Sequence, residues 1–280
     1  MSDIDDTATV AGMLAEARAV GVDRLDAQLL LARLLSCSRS WLLAHDEAAL
    51  DTRQTAALRA QLARRAAGEP LAYLVGEKEF HGLLLSVDPR VLVPRPDTEV
   101  LVDWALELLA GDLRAEAPPR VIDLGTGSGA IALAVKHGHA AAQMTATDTS
   151  PDALEVARNN AIRLGLDVMF ETGSWWAAAG AQRFHLALSN PPYIAAGDSH
   201  LPALAHEPTL ALTPGGDGLG ALAAIVHGAA QHLAPCGWLL LEHGFDQAQA
   251  VQSMLFECGF ADVETRHDLG GQQRCTGGRL

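Results

Sequence analysis

Val121-Ile122-Asp123-Leu124-Gly125-Thr126-Gly127-Ser128-Gly129 is the stretch from which the fold of this chain is read. Residues 121–124 form a short apolar strand, and residues 130–136 are helical. The glycines between them let the backbone turn tightly and approach a ligand with no Cβ in the way. Outward from this turn, strand and helix alternate. Residues 144–147 read as a second strand. Ser150-Pro151 opens a helix, with Ser as N-cap and Pro at the first helical position. Further strands follow at 168–170, 186–188 and 238–241, with helices between. Such alternation predicts an α/β fold, a mostly parallel sheet with helices on both faces. Ligands on sheets of this kind sit at the carboxyl ends of the strands. The chain is alanine-rich but shows no internal repeat and no low-complexity stretch.

Upstream, residues 1–75 read as a small helical domain. Val10, Leu14 and Ala17 share a face and Gly21 stops the helix; Leu25, Leu29 and Ala32 begin a second stripe. A third helix runs from Thr52 to Ala67 with Leu58 and Leu62 inside, and Gly68 and Pro70 end it. This domain carries no chemical motif and is either a substrate-docking module or scaffold. Residues 76–93 switch to period two. Leu83, Leu85 and Val87 alternate with Leu84 and Ser86, and Val91-Leu92-Val93 follows Asp88-Pro89-Arg90, as in a β-hairpin linker. Residues 94–280 form the main domain. Pro94–Glu99 opens its first helix, lined by Leu101, Trp104, Ala105 and Leu108, and Pro118-Pro119 closes the connection.

Composition narrows the function. The chain has 280 residues, 49% of them hydrophobic, enough for a large domain beside a smaller one. No apolar run approaches the roughly 18–20 residues that span a bilayer, so no membrane is expected. The acidic start, Met1-Ser2-Asp3-Ile4-Asp5-Asp6, is the opposite of a secretory n-region. Cys37, Cys236, Cys258 and Cys275 are scattered without metal-ligand spacing. They read as reduced thiols of a cytoplasmic protein that uses no metal. Asp and Glu outnumber Lys and Arg by 34 to 20, a net charge of −14. That balance disfavours direct binding of nucleic acid, whose phosphates must be neutralised by Lys and Arg.

Two details sharpen the glycine turn. Its spacing is G-x-G-x-G, tighter than the G-x-G-x-x-G of dinucleotide folds. Asp148 ends the next strand, where a carboxylate can accept both hydroxyls of a ribose. The pattern resembles class I S-adenosylmethionine-dependent methyltransferases; a nucleotide-binding or merely tight turn is the alternative. The resemblance implies a Rossmann-like sheet with Asp123 beside the methionine moiety and Asp148 on the ribose. Trp175, in Gly173-Ser174-Trp175-Trp176, either stacks on the adenine or belongs to the core.

Ser189-Asn190-Pro191-Pro192-Tyr193 follows the strand at 186–188. Two consecutive prolines offer no N–H and cannot continue a parallel strand, but they leave carbonyls pointing out of a rigid loop. A planar –NH2 nitrogen is a poor nucleophile with two hydrogens. The Asn190 side-chain carbonyl and the Pro191 backbone carbonyl can accept one each, orienting the nitrogen and favouring a transition state in which it gains positive charge. The Tyr193 ring can pack on the planar group. No strong base is needed, so none of the 11 histidines is nominated. Nucleic-acid N6-adenine methyltransferases and protein glutamine methyltransferases share this motif, and the motif alone does not choose between them.

Val91 through Glu99, Phe184 through Ile194, Leu240-Leu241-Glu242-His243-Gly244 and the helical N-terminal segment together resemble the peptide chain release factor glutamine methyltransferases, the PrmC/HemK family. The resemblance covers essentially the whole chain. It implies an N-terminal helical domain, a hairpin linker and a methyltransferase domain. The cofactor would be S-adenosyl-L-methionine, with S-adenosyl-L-homocysteine as product. The substrate would be the glutamine of the Gly-Gly-Gln loop of bacterial release factors. Ribosomal-protein glutamine methyltransferases share Asn-Pro-Pro-Tyr but usually differ over residues 94–99, and rank second. Carried over by position, Gly125, Thr126, Gly127, Ser128 and Gly129 form the cofactor loop, with Asp148, Trp175 and Asn190 also on the cofactor. Asn190, Pro191, Pro192 and Tyr193 form the substrate pocket, and Asn190, Pro191 and Tyr193 serve catalysis. Two positions depart from the family pattern: Ser174 replaces an acidic residue, and His206 replaces the aromatic usual before Glu207-Pro208. Gly270-Gly271-Gln272 repeats the substrate tripeptide inside the chain. It reads as a turn before a last strand, with self-methylation the alternative.

Overall fold

A computed structural model describes residues 8–280; the acidic run at 1–6 lies outside the described residues. The chain divides into two compact units, Met1–Glu77 and Lys78–Leu280. Among the described residues the first contains five helices: α1 (Val10–Ala19), α2 (Arg24–Leu34), α3 (Arg39–Ala44), α4 (Thr52–Ala66) and α5 (Leu71–Val75). The first four each begin at a short polar side chain that accepts a bond from a first-turn amide. Thr9 takes Gly12, Asp23 takes Leu25, Ser38 takes Trp41 and Asp51 takes Gln54. The Gln54 side chain returns a bond to the Asp51 N–H. Val10, Met13 and Ala17 of α1 and Leu58 and Leu62 of α4 are buried. The stripe expected through Leu25, Leu29 and Ala32 is not the buried face of α2. Leu25 is 44% exposed, and Ala27, Leu30 and Leu31 face the core instead. Three consecutive leucines at 29–31 spread apolar surface over about 200° of helix. Packing against α3 and α4 therefore selects the face, not periodicity.

The second unit opens with a hairpin, β1 (Glu77–Phe80) and β2 (Leu83–Ser86), turned at His81-Gly82. Leu83 and Leu85 are buried and Leu84 is exposed, as period two requires. Residues 91–93 are not a further arm of it. Pro89 and Pro94 flank them, and the Val93 N–H donates to the Glu207 carboxylate at 3.0 Å rather than to a ladder.

After one 3-10 turn at Pro96–Thr98 comes α6 (Glu99–Ala110), with Leu101, Trp104, Ala105 and Leu108 buried. Then follow β3 (Arg120–Leu124), α7 (Ala130–Gly138), β4 (Gln143–Asp148), α8 (Pro151–Leu164), β5 (Met169–Thr172) and β6 (Phe184–Ser189). The chain ends with α9 (Thr209–Leu212), α10 (Gly220–His232), β7 (Leu233–Glu242), α11 (Ala248–Glu257), β8 (Ala261–His267) and β9 (Gln273–Arg279). Seven strands form one sheet in the order β5-β4-β3-β6-β7-β9-β8. It is parallel from β5 to β7, and β9 runs antiparallel to both its neighbours. Alternate strand residues feed two cores. Val121, Leu186, Leu188, Trp238 and Leu240 pack with α6 and α7, while Ile122, Leu124, Ala187, Leu239 and Leu241 pack with α10 and α11. Strand order reverses between β3 and β6, and such a switch point opens a crevice at the carboxyl ends.

One buried side chain joins three parts of this unit. Asn160 of α8, fully buried, accepts the Ser86 N–H at 2.7 Å and donates to the Ser86 and Ser128 carbonyls, both at 3.0 Å. It thereby fastens the hairpin and the glycine turn to one helix. Asn160→Ala leaves three backbone groups without that partner and should destabilise this unit by about 2–4 kcal/mol. The check is a melt against the unsubstituted protein together with hydrogen exchange at the Ser86 amide. That amide should lose protection well beyond what the global change accounts for.

Candidate active site

The carboxyl ends of β3, β6 and β7 lie level, because the register pairs Asp123 with Leu188 and Ser189 with Leu241. Leu124 leads into the glycine turn and Ser189 into Asn190. The buried Ser189 hydroxyl donates to the Leu124 carbonyl at 2.6 Å, pinning the two exits together.

Gly125, Gly127 and Gly129 all have positive φ, at 75°, 55° and 85°. The Gly125 and Thr126 amides both donate to the Thr147 carbonyl, at 2.9 and 2.8 Å, which ties the turn to β4. A Cβ on Gly129 would lie 3.0 Å from Leu133 Cδ1 and 3.2 Å from Ala157 Cβ, whereas one on Gly127 would meet nothing within 4 Å. The turn is therefore packed behind and open in front. Asp148 accepts the Gly127 N–H on one carboxylate oxygen and the Ser150 N–H on the other, both at 2.9 Å. Each oxygen keeps a lone pair for a further donor.

Asp123 is fully buried. Thr126 Oγ1 donates to its Oδ2 at 2.6 Å, while its Oδ1 has no partner among the described residues. Burial pushes the Asp123 carboxyl up to about 7, and the nearby Asp148 charge adds to this, against the pull of Thr126 and the Ala132 amide. Burial also raises Asp148. A buried carboxylate oxygen without a donor is costly. The orphaned Asp123 Oδ1, the spare lone pairs of Asp148 and the open front at Gly127 fit a ligand with an ammonium group and vicinal hydroxyls. The methionine and ribose parts of S-adenosylmethionine meet that description.

The two tryptophans after β5 separate. Trp176 is core: its Nε1 donates to the Ile225 carbonyl at 2.8 Å, and its ring stacks on His232 at 5.0 Å. Trp175 is half-buried, with its ring edge 3.2 Å from where a Gly125 Cβ would lie. Its φ is 45°, a strained value for a bulky side chain. The preceding Ser174 is exposed and makes no side-chain cap.

At the end of β6, Asn190 Nδ2 donates to Thr98 Oγ1 at 3.2 Å, which turns its Oδ1 away from Thr98. Neither that oxygen nor the Pro191 carbonyl accepts a hydrogen bond among the described residues. The Tyr193 hydroxyl donates to Glu242 Oε1 at 3.2 Å, and its carbonyl accepts Gln247 Nε2 at 2.9 Å. Burial, with the Glu242 charge, raises the Tyr193 hydroxyl above its ordinary range.

Thr98, Glu242, Arg274 and Glu207 received no role in the sequence reading, although the first two stand inside the runs that carry the family resemblance. Glu242 is almost fully buried and burial pushes it up to about 7. Arg274 is held by Asp268 Oδ2 at 3.0 Å and donates to the His243 carbonyl at 3.4 Å. Glu207, buried beside the exposed His206, pairs with Arg95. Gly270-Gly271-Gln272 forms a turn before β9, closed by the Asp268 N–H on the Gln272 carbonyl at 2.9 Å. Among the described residues, no group of three or more His, Cys, Asp or Glu side chains could hold a metal ion.

Comparison with known proteins agrees along the whole chain. Residues 8–76 match the family model for the PrmC N-terminal domain, and residues 98–254 match that for the methyltransferase small domain. A release factor glutamine methyltransferase of Bordetella pertussis is 50% identical over 263 residues, covering 93% of this chain and 96% of its own. One from Burkholderia pseudomallei is 47% identical over 282 residues, covering 98% and 96%. Among solved structures, a methyltransferase from Pyrococcus furiosus shares the fold at 17% identity and a TM-score of 0.53, over 82% of this chain and 98% of its own. A T. thermophilus 16S rRNA methyltransferase, solved with AdoMet and guanosine, does so at 16% identity and a TM-score of 0.53, over 72% and 49%.

Asp123 and Glu242 make stability depend on pH in a stated direction. Both carboxyls rise from 3.8 and 4.5 to about 7 on folding. The folded protein thus holds protons that the unfolded chain has lost. Their contribution is fully present below about pH 4 and is lost as pH climbs to about 7, at up to roughly 1.4 kcal/mol per pH unit for each group. Asp123→Asn removes one such contribution. Urea unfolding should show the stability of Asp123→Asn, relative to the unsubstituted protein, improving from about pH 4 to about pH 7 and levelling off above that. A difference that stays flat over that range would mean that Asp123 titrates normally.

Proposed function

This chain belongs to the release factor glutamine methyltransferases, and we propose from that membership that it methylates the glutamine of the Gly-Gly-Gln motif in bacterial peptide chain release factors. The methyl group passes from S-adenosyl-L-methionine to the side-chain amide nitrogen, leaving S-adenosyl-L-homocysteine. The observation that carries this reading is the pair of carbonyls at Asn190 and Pro191, free of internal bonds at the end of β6 and pinned beside the glycine turn.

Amide nitrogen is a poor nucleophile because its lone pair is shared with the carbonyl. Its two hydrogens are the handle. Asn190 Oδ1 and the Pro191 carbonyl each accept one, which fixes the plane of the amide and points one face of the nitrogen at the methyl donor. As the new bond forms, nitrogen gains positive charge and both N–H groups become better donors. These two bonds therefore strengthen in the transition state, as catalysis requires. Pro191 and Pro192 keep the acceptors rigid, and the Tyr193 ring packs on the substrate amide.

Bound S-adenosylmethionine supplies a sulfonium methyl, the electrophile. The backbone of Gly125, Thr126, Gly127, Ser128 and Gly129 would hold it, with Asp148 on the ribose, Trp175 on the adenine and Asn190 alongside. Asp123 would receive its ammonium. In this reading residues 1–75 dock the protein substrate, residues 76–93 link, residues 94–280 catalyse, and the reaction runs in the cytoplasm without metal.

The test is transfer from labelled S-adenosylmethionine to a purified release factor, beside its Gln→Ala loop variant, a ribosomal protein extract and an adenine-containing duplex. Label should appear on the intact factor alone. Asn190→Ala should lower kcat about 100- to 1000-fold, with cofactor affinity held within a few-fold. Transfer by Asn190→Ala at the normal rate would remove the roles given to this loop.

A further inference from the structure

Neither Thr98 nor Glu207 has a part in the reaction as proposed above, yet hydrogen bonds fasten the loop that carries Asn190 to the stretch just ahead of α6. At the start of the loop, Asn190 Nδ2 donates to Thr98 Oγ1 at 3.2 Å. Thr98 is buried on the 3-10 turn, and its N–H donates to the Arg95 carbonyl at 3.1 Å. At the far end of the loop, Glu207 Oε2 accepts the Val93 N–H at 3.0 Å, and its Oε1 accepts the Arg95 guanidinium. The Glu207 side chain is 2% exposed and that of Arg95 41%. The loop from 190 to 207 therefore starts and finishes on one short strap, residues 93–98.

The prolines explain why both sides need such bonds. Pro94 and Pro96 offer no N–H, so the strap cannot be held by a ladder of backbone bonds. Glu207 takes the place of a ladder, with a neutral bond from Val93 and a charge-assisted one from Arg95. Asn190 likewise stands beyond the end of β6, with Pro191 and Pro192 after it. Its terminal torsion is intrinsically broad. A bond at Nδ2 narrows that torsion and leaves Oδ1 as the atom free for a ligand. Its direction matters, because an acceptor tilted far from the N–H axis loses most of the bond.

We propose that Thr98 is a positioning residue that aims the Asn190 carboxamide at the substrate amide, and that Glu207 holds Thr98 in place by anchoring Val93 and Arg95. The inference rests on the glutamine-methylating reading above and adds the residues that enforce its geometry. It also accounts for Glu207 as a buried carboxylate. Burying an ionised group is costly, and a buried ion pair is a poor way to gain stability alone. Here one carboxylate fixes two points of a strap that has few other means of being held.

The test uses Thr98→Val, Thr98→Ser and Glu207→Gln in the full chain, assayed on the intact release factor well below each variant's melting temperature. Thr98→Val should lower kcat about 10- to 100-fold, because a misaligned acceptor loses most of its orienting effect. The KM for the cofactor should stay within about twofold. Thr98→Ser keeps the hydroxyl and should recover most of the loss. Glu207→Gln keeps the size and an oxygen for Val93, but its NH2 meets the Arg95 guanidinium donor to donor, and kcat should fall about 10-fold. Combined with Thr98→Val it should be no worse than the poorer single variant, since both act through one residue. If Glu207→Gln fails to fold, Arg95→Lys reads the same anchor. It keeps a cation beside Glu207 without the planar fork, and should lower kcat about threefold. A wild-type protein that leaves the release factor unlabelled overturns the glutamine reading and this inference with it. If the wild type labels the factor, this inference alone is overturned by any of three results. These are an unchanged kcat in Thr98→Val or in the anchor variant, a Thr98→Ser no better than Thr98→Val, and losses that multiply in the double variant.

Discussion

The bond from the Ser189 hydroxyl to the Leu124 carbonyl, 2.6 Å long and fully buried, is the constraint on which the site depends. It joins the last residues of β3 and β6, the strands on either side of the point where the sheet reverses direction. Two of the site's loops begin at its two ends. The glycine turn leaves from one end and the Asn-Pro-Pro-Tyr loop from the other. The parallel register does the coarse alignment, and this bond removes the remaining play. Glu242 then arrives on the next strand at the same level. Period two sends Asp123 and Glu242 to the face of the sheet covered by α6, whose leading turn carries Thr98. A two-residue shift in any of these strands would separate groups that now converge.

The same end of the sheet concentrates negative charge at low dielectric. Asp123, Asp148 and Glu242 are all shifted upward by burial, and Asp148 raises Asp123 further. Such groups weaken the fold at neutral pH, and clusters of them mark functional sites more often than structural ones. Trp175 adds backbone strain in the same region. In contrast, the ion pairs Arg59–Glu16, at 2.6 Å, and Arg90–Asp88, at 2.7 Å, lie on the surface, where such pairs contribute little. The costly electrostatics are gathered where a cationic cofactor and a polar substrate would offset them.

The parts legible in the sequence were those written locally. Glycine spacing, the Ser150-Pro151 helix start and the unpaired prolines each report on the backbone within a few residues, and each was read with its element. The alternation 83–86 gave a buried and an exposed face because that strand is half covered. Strand β8 escaped because its residues are partly or fully exposed and show no apolar period. The face of α2 was misread where three leucines in a row erase the period. Trp175 and Trp176 are adjacent and alike in sequence; only the packing of Trp176 on Ile225 and His232 separates them. Thr98, Asn160 and Glu242 were out of reach for a different reason. Their partners lie 92, 74 and 49 residues away along the chain, and no local pattern announces a pairing made by strand register.

One histidine at this end of the sheet is committed to the fold. His243 follows Glu242 and is fully buried. Its Nδ1 bonds the Gly244 carbonyl at 2.8 Å, and its Nε2 meets Thr276 Oγ1 at 2.7 Å. A carbonyl only accepts, so Nδ1 carries the proton and Nε2 is the acceptor, occupied by a hydroxyl. Burial further lowers the pKa and keeps the ring neutral. Both nitrogens are thus committed to structure. The acceptors proposed at Asn190 and Pro191 call for a neutral nitrogen that carries hydrogens, as an amide does. A lysine ammonium has no lone pair until a base removes its proton. A glutamine amide is already neutral and gives up its extra proton readily once methylated. In the proposed reading, two oriented carbonyls are therefore enough for the amide.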